Sequence, residues 1–212
     1  MSSPSESSPA LRAPRNRALT EAKLRKAVED LLVEGGFSAL TPSAVGKRAG
    51  VDKMLIYRYF GDLPGLVRAI AYAEDFFPTF EVMCGGRSVS ELLALSVSQR
   101  AALVISNNAR ALLARPVVLE LMVWELVERN ELTAIMEEAR EALGLRLLGE
   151  LFPDVRDEKR LRSIGALLSA AVTYLALRRR KIRWYSGVDL TLDETWSDFA
   201  DTIALMTAGL DV

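Results

Sequence analysis

The sequence predicts an all-α chain built as a three-helix head of helix-turn-helix type followed by a longer helical body. Three observations predict it. Apolar residues recur at the three- and four-residue spacing of helices over most of the chain, with no strand-like alternation, internal repeat or long heptad run. A threonine, a proline, a glycine and an aspartate punctuate residues 41–60 as two short helices with a tight turn between them. Charge is divided: residues 12–60 hold ten Lys and Arg against five Asp and Glu, a net of +5, and residues 61–212 hold seventeen against twenty-two, a net of −5. A basic head is thus joined to an acidic body, although the whole chain is near balance at −1.

Met1 to Ala10, MSSPSESSPA, is rich in Ser and Pro and lacks the apolar core of a secretory signal, so residues 1–18 are expected to form a disordered tail. Arg12, Arg15 and Arg17 lie at its end, either as an arm along DNA phosphates or in a minor groove, or as a solvated linker. Thr20 to Glu34 reads as the first helix, with Leu24, Ala27, Val28, Leu31 and Leu32 on one side and Gly35 and Gly36 to stop it.

Thr41 can cap the second helix with its hydroxyl while Pro42 opens it, and Gly50 supplies the left-handed residue that ends it. Asp52 caps the third helix, which runs to about Phe60 and gains from a carboxylate at the positive end of its dipole. Val45, Ala49, Val51, Ile56 and Phe60 make the apolar side, which leaves Lys53, Met54, Tyr57 and Arg58 facing outward. That set suits a DNA groove: lysine and arginine donate to guanine edges or phosphates, tyrosine reaches a phosphate, and methionine lies against a thymine methyl. The plain alternative is a pair of short helices with a glycine between them, a pattern that also occurs without DNA binding.

The order of a helix, Gly35-Gly36-Phe37, Leu40-Thr41, Ala49-Gly50-Val51 and Tyr57-x-Tyr59-Phe60 resembles the N-terminal domain of the TetR family of bacterial transcriptional regulators over about residues 20–70. The resemblance implies that Thr41, Tyr57 and Tyr59 contact phosphates and that Ser43, Lys53 and Met54 read bases. Two positions depart from the family: Gly46 replaces the usual alanine, which would loosen the second helix by about 1 kcal/mol, and Leu63 replaces a phosphate-contacting lysine.

Asp62 can cap a fourth helix carrying Leu66, Val67, Ile70 and Phe77 and ending before Pro78, so the head is expected over 19–62 and the body over 63–212. After Gly85 and Gly86, Ser90 opens a helical run that Asn107 and Asn108 are expected to interrupt; further helices run to about Arg115 and from Pro116 to about Arg129. Glu131 to Phe152 is amphipathic, and Asp157 begins the most apolar helix, in which Ser163 to Leu177 carries no charge. Fifteen uncharged residues fall short of the roughly 20 that a hydrocarbon core needs, so burial in a bundle is expected and no membrane is involved. A loop with Gly187 precedes a last helix from about Asp193 to Ala208, with Trp196, Phe199, Ile203 and Thr207 on one face.

The Trp124 to Leu132 run and the Trp196 helix after Gly187-Val188-Asp189-Leu190 resemble, more weakly, the family's C-terminal domain. This implies a homodimer in which the last two long helices pair with those of a second copy through Leu161, Ile164, Leu168, Val172, Phe199 and Ile203; the alternative is that these form an intramolecular core. The implied protein is a cytoplasmic repressor that binds a pseudo-palindromic site on double-stranded DNA and is released by a small molecule. An apolar effector of unknown identity would lie among Phe76, Phe80, Met83, Met122, Trp124, Met136 and Tyr174, with Asn107 and Glu125 as polar anchors, unless these residues are plain core. A DNA-binding or protein-interaction module with no effector is the second reading.

Catalysis has little to stand on. The chain has no histidine and one cysteine, Cys84, which excludes His/Cys zinc sites, Ser-His-Asp triads, Cys-His dyads and an intrachain disulfide. Glu120, Glu125 and Glu128 show no paired arrangement for acid/base work, and no cofactor is implied. Cys84 reads as a buried thiol in preference to a sensor, since only Arg87 nearby would activate it.

Overall fold

The structure, a computed structural model, describes residues 12–211, which fall into two compact units dividing between Ile70 and Ala71. Residues 1–11 of the expected tail lie outside the described residues. From Arg12 the chain is already helical: α1 spans Arg12–Gly35, beginning well before Thr20. Pro14 sits in the first turn, where no intrahelical N–H is required, and the Arg17 to Glu21 pair at 2.7 Å supports the next turn. Leu24, Ala27, Val28 and Leu32 are buried, and Gly36, at φ 69°, swings the chain into a turn that buries Phe37.

Two helices meet across the turn that follows. α2 is Pro42–Ala49 and α3 is Met54–Phe60. The Ala44 N–H donates to the Thr41 hydroxyl at 3.1 Å, and Gly50 closes α2 at φ 65°, ψ 35°. The Met54 N–H donates to the Asp52 carboxylate at 2.8 Å, which starts α3. Val45 and Ile56 are fully buried against α1, while Ala49, Val51 and Phe60 are half-buried.

The fourth helix, α4, is Leu63–Ala71, with Asp62 accepting from the Gly65 N–H at 2.6 Å. Its core residues Leu66, Val67 and Ile70 belong to the first unit, so the division lies after α4 and not at the expected residue 62. The helix also stops six residues short of Phe77. Phe76 and Phe77 instead sit in a turn of the second unit, both buried and edge to face at 4.9 Å.

The second unit is gathered round one long helix. It contains α5 (Phe80–Met83), α6 (Val89–Leu93), α7 (Val97–Leu113), α8 (Pro116–Glu125), α9 (Glu131–Leu151), α10 (Glu158–Arg179) and α11 (Asp193–Thr207). α5, α8, α10 and α11 all pack on α7. Ser88 with Glu91 and Ser96 with Gln99 form two capping boxes, so the run expected to open at Ser90 is two helices with a break at Ala94–Leu95. Asn107 and Asn108 do not interrupt α7. The Asn107 amide donates to the Met83 carbonyl at 3.0 Å instead of competing for its own helix backbone.

Arg100 on α7 is 1% exposed. It donates to the Leu151 carbonyl at 2.7 Å and to Asp154 at 2.8 Å, with its guanidinium 5.5 Å from the Phe152 ring centre, and so ties α7 to the end of α9. Beyond α10, Trp184–Tyr185 (β1) and Val188–Asp189 (β2) form a two-residue antiparallel hairpin, too short to register as alternation. Ser186 and Gly187 turn it with positive φ, and the Trp196 indole donates to the Leu190 carbonyl at 2.9 Å. At 22 residues α10 is long and apolar enough to cross a membrane; Leu161, Leu168, Val172 and Ala176 are its buried stripe.

Two substitutions test these joints. A Cβ at Gly65 would lie 2.1 Å from the Phe60 carbonyl oxygen, so Gly65→Ala must push α4 off α3, at a cost of about 2–3 kcal/mol. A chemical-denaturation midpoint equal to that of the parent would show that the contact is not a constraint. Arg100→Met keeps the apolar stem but strands the Leu151 carbonyl, with an expected loss of about 2–3 kcal/mol by the same measurement.

Candidate functional site

On the first unit, Thr41, Ser43, Lys53, Met54, Tyr57 and Arg58 are exposed on α2, α3 and the turn between them, with Met54 at 59%. Tyr59 is half-buried, and the Arg17 guanidinium lies 5.0 Å from its ring centre. Thr41 accepts a backbone N–H, which leaves its own O–H proton to donate outward.

The cations of this unit divide into two groups. Arg17, Arg25, Lys26 and Arg48 are paired with Glu21, Glu29, Asp30 and Glu34. Lys23 on α1 and Lys47, Lys53 and Arg58 on the helix-turn-helix are exposed and form no ion pair among the described residues. Lys47 was not among the residues expected to act, yet it lies one turn beyond Ser43 on the same face of α2. Arg48, its neighbour, is instead drawn away to Glu34, whose carboxyl it holds below the usual range through their hydrogen bond.

The two departures from the family pattern are both structural. A Cβ at Gly46 would stand 3.1 Å from the Lys53 nitrogen and the Val51 oxygen, so the missing methyl lets α2 close on the turn that launches α3. The glycine permits this close approach. Leu63 is 9% exposed and belongs to the core.

The second unit holds a cavity of about 490 Å³, walled by α7, α9 and α10 and by the turn at Phe77 and Pro78. Of the nine residues expected to form a pocket, Met83 and Met122 line it. Phe76, Phe80 and Met136 are core beneath the surface, and Asn107 is committed to Met83. Tyr174 points to the outside, edge to face with Tyr185 at 5.8 Å; Trp124 does not line the space either. Glu125 stands behind the wall, accepting from Arg140 at 2.9 and 2.5 Å, and it is Arg140 that faces the cavity. Burial pushes the Glu125 carboxyl up, opposed by its Arg140 hydrogen bonds. The expectation failed to find Arg140, Asn108, Thr173 and the lining glycines Gly144 and Gly165, although glycines inside long helices were a visible signal.

The residues expected to pair two copies are largely covered within the chain. Leu161, Leu168, Val172 and Ile203 are buried within their own chain, with Ile164 and Phe199 half-buried, because the most apolar stripe of α10 is taken by α7. What α10 exposes is Ala166, Leu167 (72%), Ala170, Ala171 and Tyr174; α11 exposes Leu205 (78%) and Met206. Cys84 is buried, and burial pushes its thiol up, away from a reactive thiolate. No cluster of His, Cys, Asp and Glu among the described residues could hold a metal ion.

Residues 24–70 match the sequence model described as bacterial regulatory proteins, tetR family. No curated protein matches the chain. Among solved structures, the fatty acid degradation regulator FadR from Bacillus halodurans is 20% identical with a TM-score of 0.57, over 97% of this chain and 98% of that one. The transcriptional regulator FadR from Bacillus subtilis, determined in complex with stearoyl-CoA, is 17% identical with a TM-score of 0.56, over 89% and 98%. A TetR transcriptional regulator from Agrobacterium tumefaciens is 23% identical with a TM-score of 0.57, over 90% and 93%. These likenesses are of fold: a helix-turn-helix unit followed by a helical unit.

Proposed function

We infer that this chain, which belongs through its N-terminal domain to the TetR family of bacterial regulatory proteins, is a cytoplasmic repressor that binds a pseudo-palindromic operator as a dimer and leaves it when a small molecule binds. The observation that carries the reading is the division of charge in the first unit. Four cations are neutralised by neighbouring carboxylates, while Lys47, Lys53 and Arg58 stay exposed and unpaired on the helix-turn-helix. Unpaired cations are those that release DNA counterions on binding.

Lys53 begins the recognition helix, where the first residues approach base edges, and its ammonium can donate to guanine N7 or O6. Met54 lies beside it for a thymine methyl, and Ser43 offers a hydroxyl to either base edge. Thr41, Tyr57, Tyr59, Arg58 and Lys47 are assigned to phosphates. One short helix reads too few base pairs to be specific alone, so two heads should read half-sites about one helical turn, or somewhat more, apart.

The exposed apolar side of α10 and α11 is the surface assigned to the second copy. The cavity in the second unit is assigned to the effector. A FadR of the same fold has been determined with stearoyl-CoA, which supports a small-molecule role for this architecture. Release requires that the effector bind the DNA-competent and released forms unequally, typically by about 1–3 kcal/mol.

The operator can be obtained by genome-fragment selection with the purified protein, and the assignments then separate by titration. Lys53→Ala should lose about 1–3 kcal/mol on the matched operator and relax preference at one base pair per half-site. Tyr57→Phe should weaken matched and single-mismatch operators alike, since phosphates carry no direct sequence information. Unchanged affinity and preference for Lys53→Ala at one fixed salt concentration would remove it from the interface. Separately, Leu167→Glu should convert a dimer to a helical monomer in sedimentation velocity; a dimeric variant would place the interface elsewhere.

A further inference from the structure

The cavity of the second unit is lined along more than three turns of two helices. Its lining runs from Arg140 along α9 to Phe152 just past the helix end, and from Leu161 to Thr173 on α10, each a rise of about 18 Å at 1.5 Å per residue. The two helices are joined by the short segment 152–157, and Phe152 and Leu161 fall in one buried cluster, so those two ends of the lining lie together. One end is closed by Ala101, Leu147, Phe152 and Leu161, which belong to a single buried cluster. At the other lie Arg140, Met122, Phe77 and Thr173, with the Arg140 guanidinium 5.4 Å from the Phe77 ring centre.

Two glycines are among the lining residues. Gly144 and Gly165 lie inside α9 and α10, where glycine weakens a helix, and neither sits at a turn. A Cβ built on either meets nothing within 4 Å, so no neighbour in the fold requires the missing methyl. Both line the cavity, between helices that barely touch along their length. A larger side chain at either position would project into that space.

Polarity is confined to a few groups. Arg140 has five N–H donors and gives two to Glu125, which fixes the guanidinium in the wall and leaves the rest for a cavity occupant. Asn108, Ser169 and Thr173 line the same space without a side-chain hydrogen bond among the described residues. Glu141 and Arg162 are exposed lining residues at its rim, Arg162 3.3 Å from Glu158.

We propose that the cavity takes an unbranched alkanoyl chain of about twelve to fourteen carbons, a length that follows from C–C bonds of about 1.5 Å, with its carbonyl or carboxylate accepting from Arg140 and its methyl end against Phe152 and Leu161. The proposal rests on reading the second unit as effector-binding, and it adds the shape and polarity of the effector. A free acid and a thioester share this chemistry. A compact polycyclic acid would not reach from Arg140 to Phe152 and Leu161.

The test is isothermal titration of the full chain with dodecanoic acid, dodecanoyl-CoA, hexanoic acid and adamantane-1-carboxylate. Dodecanoic acid, its CoA thioester or both should bind at least tenfold more tightly than the two short or compact acids, and the comparison identifies the source. Gly144→Leu should weaken the chain-bearing ligand at least tenfold with its melting temperature and operator binding retained. Arg140→Met combined with Glu125→Gln, which leaves no unpaired buried carboxylate, should weaken it about tenfold and preserve the chain-length order. Equal or tighter binding of adamantane-1-carboxylate, or no effect of Gly144→Leu, overturns the proposed class while leaving an effector site in place. Failure of all four, with no compound in a chemically diverse thermal-shift library raising the melting temperature, overturns the effector reading as well.

Discussion

Five helices of the second unit can share one core only if α7 stays straight through a sequence that contains an arginine and two adjacent asparagines. Each of those side chains would break the helix or strand a polar group if it had no partner off the helix. The Asn107 amide finds the Met83 carbonyl at the end of α5, and Arg100 finds the Leu151 carbonyl and Asp154 at the end of α9. The polar atoms that threaten the helix thus pin its neighbours to it. At the N-terminus of α7 the Asp211 carboxylate accepts from the Ser98 N–H at 2.8 Å and from the Ser96 hydroxyl at 2.9 Å, which docks the end of the described chain on the same helix. With α7 fixed, α10 and α11 have one side to bury and one side left over.

A comparable sorting governs charge in the first unit. Arg17, Arg25 and Lys26 each meet a carboxylate four residues on along α1, where geometry favours the pair, and such exposed pairs contribute only a few tenths of a kcal/mol. Their effect on function is larger than on stability, because they remove positive charge from the sides of the unit. Of the exposed cations without an ion pair among the described residues, Lys23 lies on α1 and Lys47, Lys53 and Arg58 lie on the helix-turn-helix. A net charge of +5 over residues 12–60 shows that the head is basic, but only the pairing shows which of its faces can meet phosphates.

The parts legible in the sequence were those whose cause is local. Thr41, Pro42, Gly50 and Asp52 act within four residues of themselves, and the helix-turn-helix followed from them. The end of α4, the continuity of α7 and the membership of the cavity depend on partners far along the chain, as with Asn107 and Met83. Composition misled the pocket assignment for a physical reason: Phe76, Phe80 and Met136 are the large apolar residues that a core takes first, so a cavity is left where side chains are small or absent. Gly144 and Gly165 carried that information, since glycine in a helix interior needs a reason.

The dimer surface shows the same limit from the opposite direction. Periodicity identifies the most apolar stripe of α10, and in a chain folded round α7 that stripe is consumed internally. A second copy, if it pairs through α10, has the second-best stripe left to it, where small residues alternate with Leu167 and Tyr174. Modest side chains can suffice there because a two-fold axis presents each of them twice, and alanines allow helices to approach closely. Burial of Leu167, Leu205 and Met206 from both copies, at about 1.5–3 kcal/mol for each large side chain, is comparable to the roughly 4–15 kcal/mol that association costs. If two copies pair there, a glutamate at Leu167 would bring an unpaired carboxylate from each copy into the interface, which is why it is expected to separate them.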